Sequence, residues 1–172
     1  MAALVLTLIG DDRAGLVSSV ASAITEHGGN WDRSQMAELG GKFAGIVLVT
    51  VPDDRVDGLT AALEPLHGLL DVTVQRAVET SDDPATARWS LELLGADRPG
   101  IVSEITGALA ACGVSIDALT TGTREAPMAG ERLFEAVADL DVPSDVDVAT
   151  LRHSLEDLAH ELMVDIDLDP LA

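Results

Sequence analysis

Apolar residues fill Ala3 to Ile9 in a short, β-rich run that Gly10 ends, the pattern of a buried or half-buried strand. From Ala14 to His27 the spacing changes. Leu16, Val20 and Ile24 recur every four residues with Val17 and Ala21 beside them, which predicts a helix with one apolar face. Asp12 stands where an N-cap is expected, and Gly28-Gly29 ends the pattern as a helix C-terminus requires. Asn30 to Leu39 predicts a more polar strand and Phe43 to Val51 a strongly apolar one. Gly40-Gly41 between them supplies the positive φ angles of a tight hairpin. Pro52-Asp53-Asp54 opens a second helix carrying Val56, Leu59, Leu63 and Leu66 on one face, with His67-Gly68 at its end. Leu70, Val72 and Val74 then alternate as a closing strand.

The same order returns. Gly95 follows Gly10 by 85 positions, and Trp89, Leu91 and Leu93 are in phase with Leu4, Leu6 and Leu8. Ile101, Ile105 and Leu109 match the first helix and Gly113 its end. Ser115–Thr123 and Arg132–Val142 supply two strands, and Leu151, Leu155 and Leu158 a second helical face. Leu162, Val164, Ile166 and Leu168 alternate with Asp165, Asp167 and Asp169, a final strand with one wet, charged face. The offset grows from 85 at Gly95 to 91 at Pro143 and 92 at Leu151, so the added length falls mostly in the second hairpin, around residues 125–130.

Each half therefore predicts an α+β, ferredoxin-like βαββαβ domain: a four-stranded antiparallel sheet with two helices on one face. The boundaries expected are 1–79 for the first domain, 80–87 for a polar, aperiodic linker and 88–172 for the second. Domains this small bury only about 60–65% of their chain surface, which favours packing on one another or on a second chain as a dimer.

Composition narrows the function. Hydrophobic residues make up 47% of the 172 and aromatics only 2%, so the cores must be built from Leu, Val, Ile and Ala. Trp31 and Trp89 are expected in a core or a seam rather than stacked on a cofactor. Ten basic residues against thirty acidic ones give a net charge of −20, and no basic stripe is present to neutralise phosphates. Direct nucleic-acid binding and adhesion to an anionic membrane are disfavoured. Cys112 is the lone cysteine, which excludes an internal disulfide or a cysteine zinc cluster and suggests an inert thiol on a small-residue run. His27, His67, His153 and His160 sit at helix ends or on a helix and form no recognised metal pattern. No cofactor or metal is expected. The start Met1-Ala2-Ala3 lacks the basic region of a signal peptide, no apolar run approaches a membrane span, and a cytoplasmic location is expected.

The candidate chemistry lies where the first strand of each half meets its helix. Gly10-Asp11-Asp12-Arg13-Ala14-Gly15-Leu16-Val17 and Gly95-Ala96-Asp97-Arg98-Pro99-Gly100-Ile101-Val102 both run from a strand end through an Asp-Arg pair and a glycine into a helix. A helix N-terminus exposes backbone N–H groups with the positive end of the dipole behind them. A free amino acid needs donors for its carboxylate, which Gly15, Leu16 and Val17 can supply, and acceptors for its ammonium, which Asp11 or Asp12 can supply. Asn30 carries both. Structural roles compete: Asp12 and Asp97 as N-caps, Arg13 and Arg98 as ion-pair partners, Asn30 in the turn after Gly28-Gly29.

With these loops, the glycine-ended helices and the strand starts Gly29-Asn30-Trp31 and Gly113-Val114-Ser115-Ile116, the chain resembles tandem ACT domains from about Ala3 to Leu168. As two such domains and nothing else, it looks like the stand-alone glycine cleavage system transcriptional repressor type. The resemblance implies a non-enzymatic regulator that senses a small ligand, an amino acid above all, and acts by contact with a regulatory protein in transcriptional control of amino-acid metabolism. It also implies that an Asn at the start of the second strand contacts the amino acid across a domain pair, the position of Asn30. In the second half that position is Ser115, and Ala96 replaces Asp11, so Asp97, Arg98, Gly100, Ile101, Val102 and Ser115 make the weaker of the two candidate sites. The alternatives are a ligand-free interaction module whose acidic surface meets a basic protein, and an acylphosphatase-like hydrolase with Arg13 holding phosphate and Asn30 orienting water.

Overall fold

In a computed structural model of the chain, the residues described are 1–66, 68–78, 86–126, 130 and 132–171. The chain divides into two compact units, Met1–Glu79 and Thr80–Ala172.

The first unit runs β1 (Ala2–Asp11), α1 (Leu16–Glu26), β2 (Asn30–Leu39), β3 (Lys42–Val51), α2 (Val56–Leu63) and β4 (Leu70–Arg76), with short 3-10 turns on either side of α2. The second repeats it as β5 (Thr86–Ala96), α3 (Ile101–Ala111), β6 (Ser115–Glu125), β7 (Arg132–Pro143), α4 (Val148–Leu162) and β8 (Val164–Pro170). Strand orders are β2-β3-β1-β4 and β6-β7-β5-β8, every pairing antiparallel. Each unit is thus the α+β βαββαβ arrangement that the hydrophobic periods predict. The longer second hairpin lies largely outside the described residues, as do His67 and most of the linker segment.

The period-two pattern divides each sheet into an inner and an outer face. In β1, Leu4, Leu6 and Leu8 point inward and are buried together with Val20 and Ile24 of α1, Leu59 and Leu63 of α2, and Val47, Val49 and Val51 of β3. Leu91, Leu93, Ile105, Leu109, Leu140, Leu151 and Leu155 fill the equivalent core of the second unit. Trp31 and Trp89 are half-buried against these two cores, and the Trp89 indole N–H is buried without an acceptor among the described residues. Cys112 is half-buried at the end of α3. No polar or charged residue is fully buried among the described residues.

The Gly40-Gly41 hairpin forms as expected, with φ of 61° and 78°, and Glu38 accepts a hydrogen bond from the Gly41 amide. Two readings of the pattern are corrected. Leu162 is the last residue of α4 and not part of the final strand; the helix ends at Met163, which takes a left-handed conformation (φ 54°) without being glycine. Asp12 does not cap α1. The first helix begins at Leu16 behind Gly15, with no side-chain cap, and α3 begins in the same way behind Gly100 rather than at a capping Asp97. Asp147 is a side-chain cap: its carboxylate accepts from the Ala149 amide (3.1 Å) and the Thr150 hydroxyl (2.6 Å).

The outer faces differ between units. Across the first sheet a row of paired residues reads Gln35, Ile46, Thr7, Thr73; the matching row of the second reads Thr120, Val137, Glu92, Asp167. The next row of the second sheet is Ala118, Asp139, Ser90, Asp169. The first sheet thus shows solvent exposed Ile9 and Ile46 among charges of both signs, Arg33 and Lys42 against Asp71 and Asp11, and the second an acidic surface. By sequence the first unit holds five basic and eleven acidic residues, a net −6, and the second five and nineteen, a net −14.

Candidate functional site

The two strand-to-helix loops have the same backbone. Gly15 has φ 94° and ψ −6°; Gly100 has φ 93° and ψ −11°. Space is not the reason for glycine at position 15, since nothing lies within 4 Å of where a Cβ would sit. The reason is the left-handed conformation, which costs an L-residue about 1–2 kcal/mol. That turn swings the chain from the strand end into the helix, and the Gly15 carbonyl accepts the first helical bond from Ser19 (2.9 Å), as Gly100 does from Glu104 (3.0 Å). The amides of Leu16 and Val17, and of Ile101 and Val102, therefore precede any acceptor inside their helices and face outward from the loop end. Each loop is also tied to the neighbouring hairpin: the Asp12 amide donates to the Gly41 carbonyl (3.0 Å) and that of Asp97 to Arg132 (2.8 Å).

The side chains diverge. Asp11 closes β1 opposite Lys42, and the Lys42 ammonium donates to its carboxylate; Arg13 stands 3.9 Å from the same group. The hydrogen bond and charge of Lys42 hold the Asp11 carboxyl below its ordinary range, with Arg13 adding a smaller push in the same direction. Lys42 was not among the residues expected here, although as the single lysine of the chain, directly after the hairpin glycines, it was visible. Asp11 is thus already engaged by cations, and Asp12, with no ion pair among the described residues, is the freer acceptor for an ammonium. Arg13 is 58% exposed, and among the described residues its one ion pair is the long contact to Asp11.

In the second loop Ala96 removes the counterpart of Asp11. Arg98 is not left free: Nη1 donates to Glu104 Oε1 (3.1 Å) and Nη2 to Oε2, a fork closed within the first turn of α3. The bond to Glu104 raises the affinity of Arg98 for its proton. Asp97 lies 3.8 Å from Arg132.

Asn30 and Ser115 are not at the loops of their own units. Asn30 is paired through Thr50 with Ala3 at one end of the sheet, whereas Asp11 is paired through Lys42 with Leu39 at the other. Eight residue steps along β1 separate these rows, about 26 Å at the rise of a strand. Ser115 is likewise aligned through Asp141 with Arg88, the far end of β5 from Ala96. Asn30 donates locally to Asp32, at the bulge that shifts the β2 register between Trp31 and Arg33. A hydrolase using Arg13 and Asn30 on one substrate is therefore not assembled within the first unit. Strand β2 is a sheet edge, however, with one side of its backbone free of any strand partner in its sheet.

Open concavities also occupy the outer sheet faces. One of about 420 Å³ is lined by Thr7, Ile9, Gln35, Ile46, Asp71 and Thr73, and one of about 720 Å³ includes Glu92, Thr120, Arg124, Glu135, Asp165 and Asp167. Neither includes a loop residue. Among the described residues no group of three or more His, Cys, Asp or Glu side chains is placed to hold a metal ion, and no helix is long and apolar enough to cross a membrane.

Two family models match the chain, both described as the ACT domain, over residues 2–76 and 89–147. The glycine cleavage system transcriptional repressors of Escherichia coli (strain K12) and Shigella flexneri are each 26% identical to it over 164 residues, covering 92% of this chain and 85% of theirs. The crystal structure of a protein of unknown function from Galdieria sulphuraria is 33% identical, covers 99% of both chains and superposes with a TM-score of 0.90.

Proposed function

The chain belongs to the ACT-domain family, and from that premise we propose that it is a regulator which binds a free amino acid at its first loop and acts by contact with another protein. The similarity to a transcriptional repressor along most of the chain supports a role in controlling transcription of amino-acid metabolism, exerted without catalysis. The acidic composition speaks for a protein contact over a direct grip on DNA.

The observation that carries the ligand reading is the first loop. A left-handed glycine presents the outward amides of Leu16 and Val17, an exposed Arg13 flanks them, and Asp12 stands on the same turn. These groups take a carboxylate and an ammonium carried on the same carbon. Asn30 completes the site from a second copy of the chain. If two β2 edges pair antiparallel about a twofold axis, the start of one strand falls beside the end of the other. That brings the partner copy's β2 start to the loop end of the sheet. The dimer and the site are then one structure.

Thermal-shift and calorimetric titration with the proteinogenic amino acids test this, since a ligand bound by the native state alone raises stability by RT ln(1 + [L]/Kd). One or a few amino acids are expected to stabilise the protein, and Asn30→Ala to weaken them. A well-folded sample that responds to none removes the ligand part. A second reading, a ligand-free module whose acidic sheet face engages a basic protein, is favoured by the row Glu92, Asp167 and its neighbours. A partner captured in a salt-sensitive manner and indifferent to every amino acid selects it.

A further inference from the structure

The Arg98–Glu104 fork has no counterpart in the first unit. The residue 85 positions before Glu104 is Ser19, whose hydroxyl donates to the Gly15 carbonyl (3.1 Å) and leaves Arg13 without an acid in the first turn of α1. Glu104 instead folds back over the loop. Its Oε1 lies 3.4 Å from where a Cβ would stand on Gly100, so the carboxylate sits against the left-handed turn that opens α3, gripped by both Nη atoms of Arg98. In geometry and charge this is what an amino-acid ligand would bring to the first loop: a carboxylate on the loop arginine at the mouth of a helix.

We propose that Glu104 is a tethered substitute for the ligand carboxylate, which keeps the second loop occupied by the protein itself and leaves one open amino-acid site per chain. The inference rests on the reading of the loops as carboxylate sites and adds what distinguishes them. A tethered group competes at every ligand concentration, because closing the fork costs no translational freedom. Side chains 36% and 40% exposed form a pair of modest strength, so the competition weakens an external carboxylate several-fold and does not abolish it. Ala96 lowers what the second loop offers a ligand; Glu104 takes the cation that remains.

Formate, the smallest carboxylate, is the probe, with sodium chloride at matched ionic strength as the control. Backbone amide shifts are followed in the intact chain, in Glu104→Ser and in Glu104→Gln. Formate is expected to move Leu16 and Val17 in all three proteins. It is expected to move Ile101 and Val102 in both variants with at least two- to fivefold higher affinity than in the parent, the range an exposed ion pair spans. Equal responses of Ile101 and Val102 in parent and variants overturn the proposal. So does silence of those amides in both variants while Leu16 and Val17 respond, and so does opening by Ser but not by Gln, which would make bulk the barrier. These three results leave the carboxylate reading of the first loop standing. Silence of both loops in every protein removes that reading and the proposal with it.

Discussion

The two loops superpose in backbone and part in electrostatics. Gly15 and Gly100 agree to 1° in φ and 5° in ψ, and both hand their carbonyl to the fourth residue on. Around that common turn the first loop holds Asp11 against Lys42 and leaves Arg13 exposed, whereas the second locks Arg98 onto Glu104. The outer sheet faces separate in the same way, one balanced in charge and one acidic. A repeated backbone can therefore carry different side-chain chemistry at the same turn. Retention of the turn in both units is accounted for by the path of the chain, because a left-handed glycine opens each helix.

The contrast breaks most visibly at the arginines. If Arg13 holds the ligand carboxylate, Arg13→Ala should lower amino-acid affinity roughly tenfold to a hundredfold, the value of a hydrogen bond to a charged group, while Arg98→Ala should leave the first-loop affinity unchanged. Calorimetric titration of both variants measures this, and similar losses from the two would erase the distinction between loops. The shared backbone makes the opposite demand. Gly15→Ala and Gly100→Ala should each destabilise by about 1–2 kcal/mol in urea unfolding, since both place a Cβ in the left-handed region. A neutral result at either position would mean that its turn relaxes and the two loops are not equivalent. Helix capping separates a real cap from an apparent one: Asp147→Ala should cost about 1 kcal/mol and Asp12→Ala less than about 0.5 kcal/mol, because only Asp147 accepts a helical amide.

Much of this was legible in the chain. The Leu4, Leu6, Leu8 alternation, the Leu16, Val20, Ile24 spacing and Gly40-Gly41 determine strand, helix and hairpin by local rules, and the repeat supplies each element twice. Asp12 misled because an aspartate three residues before a glycine resembles a cap, whereas the left-handed Gly15 moves the helix start beyond its reach. Leu162 misled because helix and strand both want an apolar residue at their junction, and a left-handed Met163 is not written in any local pattern. The separation of Asn30 from the loop follows from strand register, which is a long-range property: in an antiparallel sheet the order β2-β3-β1 sends the start of β2 to the far end of β1. Lys42 meets Asp11 through the same kind of long-range register, across β3 and β1. Glu104 is local to Arg98, but the pair spans the left-handed Gly100 and carries no periodic signal.

The smallest expected effect isolates Lys42. Its ammonium holds the Asp11 carboxyl below the ordinary 3.8, so in the folded state this carboxylate resists protonation more than in the unfolded chain. For a lowered carboxyl the sign is fixed: the pair contributes stability above pH 3.8 and loses it as pH falls through the depressed folded value. Lys42→Met removes the larger cause and leaves only the distant Arg13. Carboxyl-carbon NMR should show the Asp11 midpoint moving up towards 3.8 in that variant. With Asp11 released from Lys42, the first loop gains a free acceptor for an ammonium, and amino-acid affinity should hold or rise slightly above the parent. A fall in affinity with the Asp11 midpoint shifted would instead place Lys42 itself on the ligand carboxylate, and would make the open loop a two-cation site against the single, sequestered Arg98 of its twin.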